Sequence, residues 1–269
     1  MRIQLLFLRK ELGDVRGNSR VWPAYLILPL IAVALPVFFA VTTPMLIETA
    51  AARQDPATLT LIRLIQAMPE FAGLPAAQAI TRYFLRNAGG IFLLMPLALT
   101  STSAAFSIVG EKQQRTLEPI LATPITDRQF LLAKLLASVV PTVAVTWLCG
   151  ALACVAVDAV TWAQFRALVL PDRFWLLGLL VLAPLLGVVI VLVTMLLSAK
   201  STDPQATVQT TALAIIPGFL LLFGVFGKLL TLKFSALGIA CILVLALDVV
   251  LFRTNVARFQ REEILTRWK

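Results

Sequence analysis

Between residues 110 and 126 the chain runs Gly110-Glu111-Lys112-Gln113-Gln114-Arg115-Thr116-Leu117-Glu118-Pro119-Ile120-Leu121-Ala122-Thr123-Pro124-Ile125-Thr126. Glu111, Lys112, Arg115 and Glu118 charge its front half, and Leu117, Ile120 and Leu121 follow at i, i+3, i+4 spacing before a Thr-Pro-Ile-Thr break. A plain connector needs only a few polar residues. This pattern predicts a short amphipathic helix whose chemistry is docking: charges to orient a soluble partner, apolar knobs to seat on it, and rigid continuity with the helix that follows to carry force.

Bond-making chemistry finds little support elsewhere. The chain has no histidine, which excludes His-based acid/base catalysis, His-ligated metals and Ser-His-Asp chemistry. Cys149, Cys154 and Cys241 form no CxxC pair and sit in apolar blocks, as small core residues do. Asp158 and Asp248 are isolated, and no DxD, GxSxG or G-x-x-x-x-G-K-[ST] pattern occurs, so any nucleotide must be bound by another polypeptide.

The remaining candidates are polar residues inside apolar blocks. Thr100, Ser101, Thr102, Ser103 and Ser107 lie in one, and Gln205, Thr207, Gln209, Thr210 and Thr211 open another. Of these, Thr100, Ser103, Ser107, Gln205 and Gln209 are candidates to line a translocation path, with hydrogen bonding between helices as the alternative. Asp248 is a functional candidate as an intramembrane acid, unless its carboxylate reaches the interface near Arg253.

The elements that must hold these residues follow from composition. Of 269 residues, 59% are apolar and 14% charged, with a mean hydropathy of +0.92, against roughly 45–50% apolar and about 25% charged in soluble domains. Uncharged stretches of about 18 residues or more mark membrane spans. Five clean ones run over Trp22–Ile47, Asn87–Val109, Leu135–Val157, Phe174–Ala199 and Pro204–Gly227, and a sixth, Phe234–Phe252, carries Asp248. The expectation is an all-α membrane protein of six transmembrane helices, a single domain over residues 1–269.

The net charge of +9 is distributed unevenly, with fifteen Lys and Arg on the side holding both ends and the 110–134 segment, and eight on the other. By the positive-inside rule both termini and that segment, Lys134 included, are cytosolic, and the charge reports anionic lipid rather than nucleic acid. The lead over residues 1–20 repeats Leu5, Leu8, Leu12 and Val15 beside Arg2, Arg9 and Arg16. We expect it to be retained as a helix in the headgroup plane rather than cleaved as a signal peptide.

Local chemistry fixes several boundaries. Thr126 and Gln129 make a capping box that starts a helix in the cytosol and continues it into the third span. Asp203-Pro204 and Asp172 supply caps for the fifth and fourth spans. The 48–86 loop predicts two short helices on the extracytoplasmic membrane surface, over Thr58–Met68 and Ala76–Leu85, as a lid or as a packed loop. Pro96, Pro141, Pro184 and Pro217 are expected to kink their helices.

The 110–126 run, set between the second and third of six spans, resembles the cytosolic coupling segment of ABC transporter permeases of the type-2 exporter family. The interfacial lead with Lys10-Glu11-Leu12 and the cytosolic ends match as well, and the long outer loop resembles that of efflux permeases. The resemblance implies a permease that forms half of an export path, dimerises with a second copy or a homologous permease, and binds soluble ABC ATPase subunits. It further implies that those subunits hold ATP and its magnesium while this chain holds no cofactor. Glu111, Arg115, Thr116, Leu117, Glu118, Pro119 and Leu121 would contact the ATPase, the 1–20 helix would be the connecting elbow, and the chain would reside in the plasma membrane with its 253–269 tail in the cytosol. The alternative is a non-transporting anchor or assembly factor that uses the same segment to hold its partner.

Overall fold

The computed structural model describes residues 22–52, 55–113, 126–198, 203–229 and 234–258, together with Gly13 and Ser201, with the side chains of 218–229 and 234–236 among those left aside. The elbow helix expected over 1–20, Arg115, Thr116, Leu117, Glu118, Pro119 and Leu121 of the coupling segment, and the tail past 258 lie outside the described residues.

All regular structure among the described residues is helical. Helix α1 spans Trp22–Ala52, α2 Pro56–Gln66, α3 Ala76–Ala88, α4 Gly90–Gln113 and α5 Asp127–Phe165. Helix α6 runs over Arg173–Ser198, α7 over Pro204–Leu229 and α8 over Phe234–Arg258. Among the described residues, five stretches are long and apolar enough to cross a membrane: Trp22–Ile47, Ala76–Glu111, Asp127–Phe165, Arg173–Ser198 and Leu237–Ala257. The other expected span falls on α7, whose side chains are described only as far as Pro217.

Helix α4 is the hub, packing against α1, α5, α6 and α7, while α8 packs on α6. Close approach relies on small side chains, as expected where lipid gives no hydrophobic drive between helices. Ala32 and Ala40 of α1 are buried in one cluster with Cys149, Ala153 and Val157 of α5. Several larger apolar side chains of α1, among them Leu26, Leu30, Phe38 and Met45, are exposed. A cyclic side chain explains one irregularity. Pro184 has no N–H and its ring crowds the carbonyl four residues back, and just before it the backbone of α6 loosens into a π turn over Gly178–Leu182, with Ala183 N–H bonding Gly178 C=O.

The caps follow the local sequence. Thr126 and Gln129 form the reciprocal capping box. The Asp203 carboxylate accepts the N–H groups of Gln205 and Ala206, and that of Asp172 accepts Trp175 N–H at 2.8 Å. Beyond the caps, α5 is far longer than the span expected for it. Its 39 residues rise about 58 Å at 1.5 Å each, against a hydrocarbon thickness of about 30 Å, so it projects beyond the apolar layer.

The two helices of the 48–86 region are present, with one correction to their placement. Helix α3 is separated from α4 by Gly89 alone, so it extends the second span rather than starting a separate surface helix. A Cβ at Gly89 would meet Trp175 Nε1 at 2.7 Å, and that indole is buried and donates to Leu85 C=O. Ile47, Ile62, Ile65, Phe71 and Ile80 close a small apolar core between α1, α2 and α3. Arg86 secures this end of the molecule: it pairs with Glu70, lies 3.8 Å from Asp172 and stacks 3.4 Å over the Phe174 ring. Burial raises the Asp172 carboxyl above its ordinary value, against the pull of Trp175 N–H and Arg86. Asp158, isolated in sequence, accepts the N–H groups of Val169 and Leu170 at 2.8 and 3.0 Å and so ties the α5–α6 connection back to α5.

Candidate functional site

At the opposite end, α4 and α5 deliver the two edges of the 114–125 segment. Glu111 lies half a turn before the end of α4, and Lys134 two turns into α5. Their side chains meet: Lys134 Nζ is 2.6 Å from Glu111 Oε2, with side-chain exposures of 1% and 9%. The same ammonium donates to Ser107 Oγ at 2.9 Å and faces Ser107 C=O at 3.4 Å and the Phe130 ring at 5.7 Å. Ser107 and Glu111 are four residues apart on α4, as are Phe130 and Lys134 on α5, so two helical faces compose one joint. Beside it Leu131, Leu135, Val191, Leu192 and Met195 form a water-excluding cluster.

This geometry revises one expectation and gives one candidate a partner. Lys134 is no surface cation of the loop; it is buried in an ion pair within the bundle. Ser107, a candidate path-lining residue, accepts from that cation. Isolated charges flanking an apolar block read as loop charges, and nothing local in the sequence signals a pairing across 23 positions.

The other candidates are not gathered into one site. Thr100 is buried and returns its hydroxyl to the Pro96 carbonyl of its own helix; Thr102 does the same with Ala98. Thr142, Thr146 and Thr194 are also back-bonded, so their hydroxyls are satisfied locally and tolerate apolar surroundings. The Tyr25 hydroxyl lies 3.0 Å from Thr142 Oγ1, a polar contact joining α1 and α5, with Ser103 of α4 beside it. Gln205 and Gln209 are exposed on α7, whereas Thr207 and Thr211 of the same helix are buried.

Asp248 is turned into the bundle. It is 6% exposed, on the face of α8 that carries Cys241, Val244 and Asn255 inward, and Asn255 Nδ2 donates to Leu192 C=O of α6 at 3.2 Å. Neither carboxylate oxygen has a hydrogen-bond partner among the described residues.

A bundle of long apolar helices with a buried ion pair at one end defines a polytopic membrane protein. A family model described as ABC-2 family transporter protein matches residues 57–237, two-thirds of the chain and the whole of the joint and its loop. The chain belongs to this family, and it is a multi-pass membrane permease, the membrane component of a transporter. No curated protein matches it.

Proposed function

We propose that the chain is the permease subunit of an ATP-driven exporter, in which the 110–126 segment docks a soluble ABC ATPase. In this reading the chain has six spans and cytosolic termini and the segment lies in the cytosol, which the excess of Lys and Arg on that side supports. A second permease, identical or homologous, completes the path. ATP and magnesium bind to the ATPase, and its closure pushes the docking segment. Arg115, Thr116, Leu117, Glu118, Pro119 and Leu121 make the contact, Glu111 of the same expected set holds Lys134 at its edge, and α4 and α5 receive the displacement at their inner ends. Thr100, Ser103, Ser107, Gln205, Gln209 and Asp248 are the polar groups available to a moving path.

The observation that carries this reading is the family match across residues 57–237, which spans the docking segment together with both helices it joins. A photoreactive amino acid at Leu117 or Leu121, illuminated in membranes from cells expressing the complete transporter, tests it. The expected product is a covalent adduct with a soluble nucleotide-binding ATPase. Adducts with lipid alone would contradict the docking assignment.

A further inference from the structure

The strongest further feature is the Glu111–Lys134 joint at the base of the docking segment. Stability does not explain it: taking two charges out of water costs more than their attraction commonly returns, and well-packed apolar replacements are often neutral or better. What a buried pair does supply is registry, because only one relative placement of α4 and α5 keeps Lys134 on Glu111 and on Ser107 at once. Apolar side chains alone would tolerate sliding. The pair also stands in a telling place, where the two ends of the 114–125 segment enter the bundle.

We propose that Glu111, Lys134 and Ser107 are positioning residues that fuse the inner ends of α4 and α5 into one lever, so that a push on the segment moves both helices as a body instead of separating them. The lever rests on the reading of this segment as the ATPase contact. Its rigidity is a property of the permease and is measurable whether or not an ATPase binds.

The test places spin labels at Gln113 and Leu132, both exposed at the two sides of the joint, in the full chain with Cys149, Cys154 and Cys241 replaced by alanine. Dipolar electron paramagnetic resonance then reads the separation and its spread, in the permease purified with whatever ATPase accompanies it, before and after trapping with ATP and vanadate. The expected result is one narrow separation, unchanged by trapping. In the double variant Glu111→Met with Lys134→Met the distribution broadens at least twofold while the protein stays monodisperse, and the exchanged pair Glu111→Lys with Lys134→Glu narrows it again. A pair that serves folding alone would lower the melting temperature of single variants without changing the spread. A separation that shifts on trapping in the unmodified joint, or a double variant as narrow as the parent, overturns the lever. Loss of the ATPase itself would sink the exporter reading instead, and the comparison of parent and double variant without nucleotide still decides the joint.

Discussion

At the scale of single residues, the consequential groups are charges that the fold has taken out of water. Lys134 is satisfied by Glu111 and Ser107, so removing one member strands the other. Lys134→Met is expected to destabilise the folded permease by about 3–5 kcal/mol, and adding Glu111→Met should recover most of it. Denaturant titration in detergent, set out as a double-mutant cycle, measures the coupling; additive effects would mean that the two charges do not depend on each other. Asp248 is the opposite case, a buried carboxylate whose oxygens have no partner among the described residues. Asp248→Leu should raise stability by about 1–3 kcal/mol, and a transport defect accompanying that gain would mark the acid as retained for function. A loss of stability in the same titration would mean that a favourable interaction holds the carboxylate. Neither situation is legible from sequence. Residues 111 and 134 look like ordinary loop charges, and whether Asp248 turns inward or reaches an interface is decided by the rotation of α8 against α6.

At the scale of elements, what was legible is what is local. The Thr126–Gln129 capping box and the caps at Asp172 and Asp203 are each fixed within four residues, and the structure places all three as the sequence implies. The start of α2 follows the same logic. Asp55 accepts Thr58 Oγ1–H at 2.6 Å and Thr58 N–H at 3.1 Å, and the hydroxyl first, then the amide, hold the Asp55 carboxyl below its ordinary value. The sign follows directly: an acid with a depressed folded-state value contributes stability above its ordinary range and loses it as pH falls through the depressed one. Amide protection at the first turn of α2, taken relative to the intrinsic exchange rate at each pH, should therefore fall only at acidic pH, and Thr58→Val should move that onset upward. An onset unchanged by the substitution would contradict the cap. Long-range geometry was less legible. The sequence reading ends a surface helix at Leu85 and starts a span at Asn87, yet the packing of Trp175 against Gly89 keeps α3 stacked on α4. Likewise, nothing in the sequence around Asp158 foretells that it reaches eleven residues ahead to Val169.

At the scale of the whole molecule, the apolar blocks give the class, and the family match gives the work of a transporter permease. The 110–126 segment is the proposed link between that class and an ATP-driven mechanism, and its pattern of charges and apolar knobs is a local property of the sequence. The path is not readable in the same way. A threonine bonded back to its own helix and one facing a substrate have the same sequence signature, and only the rotation of each helix separates them. The claim on which the account turns is that this chain works through a soluble ATPase held at residues 110–126. Purification from its native membrane in mild detergent, with mass spectrometry of the accompanying proteins, tests it most directly. A stoichiometric ABC ATPase, lost when Arg115→Glu and Glu118→Arg are combined, is the predicted result. A chain that purifies alone, even after crosslinking at the segment, would contradict it.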